Sequence, residues 1–229
     1  MARTSSRYFS LSMWLGRASV TLAAASLTLA LLWLASPRAP NRGVIGPPSA
    51  PIQIVDARSD EAVGRLGRSL RAAEAPEARL LFAGWLVEAT AADWSDSART
   101  RFLRTIAPQV LAAAVTEGVL PSLVLAQAAH ESGWGKSRIA RELDNLFGHT
   151  QGDGWRVYPS WAASVAAHAR LLGRSDRYAA SRSASDWRRA LGALAPHYAE
   201  DPEYAQRVGS MIRQWRMDRW DDLVRSRRA

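Results

Sequence analysis

Cysteine is absent from the 229-residue chain, lysine occurs once among thirty cations, and the first fifty positions hold no acidic residue. Without cysteine there is no disulfide framework, no thiolate nucleophile and no zinc-thiolate site. The four histidines show no metal-ligand spacing, so neither a metal nor another cofactor is expected. The acid-free start carries Arg3, Arg7, Arg17, Arg38 and Arg42, whereas the remainder sets 25 positive against 21 negative residues. Much of the +9 net charge therefore sits at one end, and no stretch interleaves basic groups with aromatics. Nucleic acid is not an expected partner; an anionic envelope surface suits the charge at least as well. Strand-like alternation is scarce too, which leaves a mainly α fold. What is present in quantity is apolar: 48% hydrophobic against 22% charged residues is enough for a packed core and too apolar for a disordered chain.

Residues 18–35, ASVTLAAASLTLALLWLA, are eighteen uncharged, mostly apolar positions behind the basic start. At about 1.5 Å per residue, a helix of that length nearly crosses a hydrocarbon core of about 30 Å. Residues 1–36 thus read as a cytoplasmic start and a single inner-membrane span, with the rest of the chain exported to the periplasm by the positive-inside tendency. A cleaved signal peptide is the other reading, because LAS before Pro37 is close to a small-residue cleavage pattern. Residues 37–54 form a linker, since SPRAPNRGVIGPPSAP carries five prolines and two glycines. A helical pattern resumes over 55–95, with Pro76 suited to a first helical turn; this is either a helical hairpin packed on the domain C-terminal to it or a spacer. From residue 96, Phe102, Leu103, Ile106, Val110, Leu111 and Ala114 form one buried stripe, and Pro108 is a point where that helix can kink. Ser160 is positioned to cap WAASVAAHARLLG and Ser185 to cap DWRRALGALA. Residues 217–229 read as a basic tail. No pattern specifies an oligomeric state.

The stretch LAQAAHESGWGKSRIARELDNLFG, residues 125–148, carries the chemistry. Pro121 and Ser122 open a helix that ends on Glu131, just ahead of the Gly133-Trp134-Gly135 turn. A carboxylate at a helix C-terminus faces the negative pole of the peptide dipoles, and packing against Trp134 would desolvate it; both disfavour its charged form. A raised pKa is what a glycosidase general acid requires. The competing reading is a plain ion pair between Glu131 and Arg138 or Arg141.

AQAAHESGWG followed by NLFG, then YPSWAAS from Tyr158 and YAEDPEYA from Tyr198, resembles the ordered motifs of the bacterial peptidoglycan glucosaminidases of glycoside hydrolase family 73. The resemblance covers roughly residues 97 to 216, within a domain spanning 96–216. It implies a lysozyme-like α-lobe, here with a reduced β-hairpin region, and peptidoglycan glycan strands as the partner, cut at the β-1,4 bond following N-acetylglucosamine. It also implies Glu131 as the acid and Tyr198 beside the catalytic centre. Gln127, Trp134, Asn145, Phe147, Asp201 and Tyr204 match motif positions that build or support the saccharide cleft. Phe147 and Tyr204 equally suit a core, and Asn145 a turn.

Two departures from the family pattern stand out. His130 replaces the usual leucine and, one position from Glu131, points about 100° off its face, to the surface or behind the site. Between NLFG and VYPSW there is only HTQGDGWR, too short for the β-hairpin that carries a second acid in many relatives. Asp153, the one nearby carboxylate, lies in a Gly-Asp-Gly turn that suits a plain turn role, so both a two-carboxylate mechanism and one assisted by the substrate's N-acetyl group stay open. Lytic transglycosylases, a phage lysis enzyme and a non-catalytic wall-binding protein are the alternative classes.

Overall fold

The computed structural model describes residues 59–224, which fall within one compact unit spanning 52–229. The apolar stretch 18–35 and the linker lie outside the described residues. Among those described, no helix is long and apolar enough to cross a membrane.

Ten α-helices follow in order among the described residues, most of them started by recognisable chemistry. Helix α1 (Asp60–Ala72) is capped by Ser59, whose side chain accepts from the Ala62 N–H, and Asp60 and Glu61 fill its positive first turn. Helix α2 (Pro76–Thr90) begins on a proline, whose missing N–H would have no helical partner there. A capping box between Ser97 and Thr100 opens α3 (Ala98–Glu117), which runs through Pro108 and stops at Gly118 with φ 67°. Helix α4 (Pro121–Glu131) is followed by α5 (Arg138–Glu142), a hairpin, and α6 (Trp161–Arg174) with Ser160 as its cap. A 3₁₀ turn (Asp176–Tyr178) leads to α7 (Ala179–Ser183), α8 (Trp187–Tyr198) and α9 (Tyr204–Gln214). The cap of α8 is Asp186, not Ser185: its carboxylate accepts from the N–H groups of Arg188 and Arg189, and the charge suits the helix dipole better than a hydroxyl. A second 3₁₀ turn (Met217–Trp220) and α10 (Asp221–Val224) close the fold.

The axis of the molecule is α4. Leu123, Val124, Leu125, Ala126, Ala128 and Ala129 are all buried, so this helix is apolar on every side and the others pack around it. Close approach is also built in elsewhere. A Cβ on Gly173 of α6 would stand 2.7 Å from the Glu117 carbonyl oxygen at the end of α3, a contact that only glycine permits.

One expectation needs correction, and two others are decided by the fold. Residues 60–90 form the packed helical hairpin and not the spacer: Leu70, Ala83, Leu86 and Val87 belong to the same core as α3 and α4. Residues 217–224 are no basic tail. Met217 and Trp220 are fully buried, and the Trp220 indole N–H donates to Thr90 Oγ1 at 2.7 Å. Asp221 accepts from the Ser122 N–H at 3.0 Å and the Ser122 hydroxyl at 2.7 Å, fastening the start of α4, while burial pushes its carboxyl up to about 7. The segment HTQGDGWR forms the expected reduced hairpin, at its minimum. Strands β1 (Thr150–Gln151) and β2 (Gly154–Trp155) pair antiparallel with Thr150 opposite Trp155. The turn has Gly152 at φ 59°, the first-position glycine of a two-residue hairpin loop.

Candidate active site

Glu131 is the last residue of α4 because the chain behind it cannot continue the helix. Gly133, Trp134 and Gly135 all take positive φ, at 58°, 62° and 73°. Ser132 holds the turn, donating to the Ala128 carbonyl at 2.5 Å and accepting from the Gly135 N–H at 2.7 Å. Gly135 has a second constraint: a Cβ there would come within 2.6 Å of the Trp161 ring. Three successive left-handed residues turn the backbone sharply, and Trp134 carries the strain, of about 1–2 kcal/mol, that a side chain incurs in that region.

The turn swings Trp134 away from the acid. Its ring packs against Phe102 and Trp215, with the Arg99 guanidinium 5.3 Å from the ring centroid, and it does not line the cleft beside Glu131. The expected desolvation of Glu131 by Trp134 is therefore replaced by burial among α8 and α9. Burial pushes the Glu131 carboxyl up; the Tyr204 hydroxyl, donating to Oε1 at 3.0 Å, and the nearby His130 pull it part of the way back. The alternative ion pair does not form: Arg138 pairs with Glu142 at 3.0 Å, and Glu131 pairs with no arginine among the described residues. His130 is half-buried with its ring edge-on to Tyr204.

Glu131 opens into a cleft of about 530 Å³. The hairpin side supplies Phe147, Gly148, His149, Thr150, Arg156 and Tyr158; the opposite wall is made by Ala167, Leu171, Arg177, Tyr178, His197, Tyr198 and Ala199. Among the described residues, Glu131 is the one carboxylate on this lining. Asp153 is exposed in the hairpin turn and does not line the cleft.

The remaining motif residues divide into lining and support. Tyr198 lines the cleft, its ring 5.4 Å from that of Tyr204, and burial raises its hydroxyl pKa well above the ordinary value. Phe147 also lines it, although it is almost wholly buried. Gln127 and Asn145 are buried with their polar atoms engaged inside the protein, so sugar contact by either is corrected to support. Asn145 donates to the carbonyls of His149 and Arg156 at 2.8 and 2.9 Å and accepts from the N–H groups of Phe147 and His149. It thereby clamps NLFG to the hairpin. Asp201 accepts from the Glu203 N–H at 2.9 Å and pairs with Arg207 at 3.2 Å, which shapes the turn before α9 and keeps it off the cleft. Tyr204 is buried behind Glu131 and acts on it by hydrogen bond.

His149, Arg156, Arg177 and His168 are not singled out in the sequence, and Tyr158 enters only as the first residue of a motif. The available signal was His168, which falls on the buried stripe Ser164, Val165, His168, Ala169 and Leu172 of an otherwise ordinary amphipathic helix. Among the described residues, no group of His, Cys, Asp and Glu could hold a metal ion.

Residues 107–217 match the sequence profile of the glucosaminidase family, described as mannosyl-glycoprotein endo-beta-N-acetylglucosaminidase. The chain is 33% identical over 142 residues to the peptidoglycan hydrolase FlgJ of Escherichia coli, a match covering 49% of this chain and 45% of FlgJ. It thus spans less than half the length of that relative. The glycoside hydrolase domain of FlgJ from Salmonella typhimurium is 33% identical, with 52% of this chain and 88% of that domain covered and a TM-score of 0.47. The catalytic domain of the autolysin Auto from Listeria monocytogenes superposes with a TM-score of 0.50 at 26% identity, over 58% of this chain and 94% of that domain.

Proposed function

The chain belongs to the glucosaminidase family through residues 107–217, and from that premise we propose that it is a peptidoglycan hydrolase, cleaving the β-1,4 bond that follows N-acetylglucosamine. The observation that carries this reading is Glu131 itself: a half-buried carboxyl, its pKa raised by burial, on the wall of a cleft of about 530 Å³. With a raised pKa the protonated form persists to higher pH, and that form can give its proton to the glycosidic oxygen as the bond to the anomeric carbon breaks. No second carboxylate faces it among the described lining residues, so the displacement falls to the substrate. The N-acetyl carbonyl oxygen attacks the anomeric carbon to close a cyclic oxazolinium ion, and the leaving oxygen departs with the proton of Glu131. Water then adds to that carbon, Glu131 takes up the proton water loses, and the ring reopens to the acetamido sugar. Tyr198 is placed to orient the acetamido group during this sequence. Arg156 and Arg177 add positive charge to the same cleft, which suits the carboxylates of a peptide-bearing glycan.

Mass spectrometry of fragments released from purified peptidoglycan tests the reading. New reducing ends on N-acetylglucosamine are expected. Reducing ends on N-acetylmuramic acid would make the enzyme a muramidase, anhydro ends a lytic transglycosylase, and no release a wall-binding protein. Placement of this activity outside the cytoplasm, anchored in the inner membrane, rests on residues 18–35 alone. Retention of the full chain in carbonate-washed membranes is the expected result, and complete release would favour a cleaved signal peptide.

A further inference from the structure

Behind Glu131 a chain of side-chain hydrogen bonds crosses the core and emerges on the far wall of the cleft. Glu131 accepts from Tyr204 at 3.0 Å; the Tyr204 oxygen accepts from Gln127 Nε2 at 3.1 Å; Gln127 Oε1 meets His168 Nε2 at 3.1 Å. His168 Nδ1 then meets His149 Nε2 at 3.1 Å, and His149 Nδ1 meets the Tyr158 hydroxyl at 2.6 Å. The glutamine has one donating end and one accepting end, and this fixes every other proton. Its amide nitrogen donates to Tyr204, so its carbonyl must accept from His168, which is therefore the Nε2–H tautomer. His168 Nδ1 is then an acceptor for His149 Nε2–H, and His149 Nδ1 for the Tyr158 hydroxyl. All five donors point the same way, from Tyr158 toward Glu131.

The members are held in place independently of their hydrogen bonds. Phe147 stacks on the fully buried His168 ring at 3.8 Å and 7°, and Gln127 is sealed in the axis helix. Burial lowers the pKa of both histidines, which favours the neutral rings that a chain with one proton per ring requires.

We propose that His168 is a positioning residue for the general acid: its Nε2–H fixes the Gln127 amide, which makes Tyr204 aim its proton at Glu131 Oε1 and leaves Oε2 as the seat of the transferable proton. The role of Glu131 is taken from the function proposed above. Without the His168 donor the amide can turn over and the chain can run backwards. Tyr204 would then donate to Gln127 Oε1, and the proton of Glu131 would be held by the Tyr204 oxygen, away from the sugar. With the donor in place, each bond in the series strengthens the next, so Tyr204 is a better donor to the carboxylate that forms when Glu131 gives up its proton.

The charged and titratable groups facing Glu131 are Tyr204 from α9, Tyr198 and His197 from α8, His130 on its own helix, and His149, Arg156, Tyr158, Arg177 and Tyr178 around the cleft. His168→Phe keeps an aromatic ring stacked on Phe147, while removing the donor to Gln127 and the acceptor of His149 Nε2–H. In the full chain, carbon-13 NMR of the Glu131 carboxyl should then show its titration midpoint rising by about 0.5 to 1 pH unit, because a hydrogen bond that favours the ionised form is lost. Tyr204→Phe should give the same rise, and the double variant no more than either alone. His168→Gln, which restores a donor, should return the midpoint toward wild type. Val165→Ala, a buried truncation on the same helix, should lower the melting temperature and leave the midpoint unmoved. In turnover, the alkaline limb of kcat/KM should move up with the midpoint, since the acid works protonated, and kcat should fall roughly tenfold.

A midpoint unchanged in His168→Phe, or shifts that add in the double variant, would overturn the proposal. Nitrogen-15 shifts of the wild-type histidines give a second measurement that needs no variant to fold: the Nε2–H tautomer of His168 is expected, and the Nδ1–H tautomer refutes the assignment. Neither measurement uses substrate. If peptidoglycan is not cleaved, the functional reading fails while the proton chain stands or falls on its own.

Discussion

Glu131→Gln should abolish all but about 1% of peptidoglycan cleavage while leaving the melting temperature unchanged or slightly higher, because general acid catalysis contributes about 10² to 10⁴ in rate. The amide occupies the same volume, and its Oε1 can still accept from the Tyr204 hydroxyl. What it lacks is a proton acidic enough to reach the glycosidic oxygen. The stability half follows from the raised carboxyl pKa. An acid whose folded pKa exceeds its unfolded value stabilises nothing above both values; its cost grows as pH rises from the unfolded pKa to the folded one and persists at neutrality. Glutamine removes that cost. Reducing-end release and a thermal melt on the same preparation measure both effects. Tyr198→Phe should be graded below it, with turnover down roughly 10- to 100-fold, as for one hydrogen bond strengthened in the transition state. Activity of Glu131→Gln within about threefold of wild type would remove Glu131 from the acid's role, since even the low end of general acid catalysis is larger.

Much of this site could be read from the sequence because its defining part is local. The helix stop at Glu131, the glycine turn and the NLFG loop each depend on neighbours within a few residues. The parts that stayed hidden depend on distance in sequence. His168 can be assigned to a buried face by its spacing, but its partner Gln127 lies 41 residues away and nothing local links them. A motif match also cannot separate contact from support: Gln127 and Asn145 sit at motif positions, yet both spend their hydrogen bonds inside the fold. Strands of two residues are too short to alternate, so the hairpin left no period to detect. At the C-terminus a count of charges described a tail, whereas two buried residues, Met217 and Trp220, determine that the segment folds.

That last difference sets up the second large effect. Trp220→Ala should destabilise the protein by about 3–5 kcal/mol, the range for truncating a buried aromatic to alanine. The indole has no exposed surface and meets Trp94 edge-on at 5.7 Å. Its N–H donates to Thr90 Oγ1 at 2.7 Å, which joins the last helical segment to the end of α2. Next to it, the Arg219 guanidinium caps both rings and pairs with Asp93 at 2.6 Å. Removing the indole therefore opens a cavity, takes away the donor to the Thr90 hydroxyl and loosens the turn through which Asp221 fastens Ser122 at the head of the catalytic helix. At about 2–4 °C per kcal/mol for a domain of this size, the melting temperature should fall by roughly 6 to 20 °C. Activity at 25 °C should fall much less, because neither Trp220 nor its partners Thr90, Trp94 and Arg219 line the cleft. A basic tail would behave in the opposite way, with the melting temperature steady and only binding to the wall weakened. A melting temperature within a degree of wild type would show that residues 217–224 do not belong to the core and that the charge count had described them correctly.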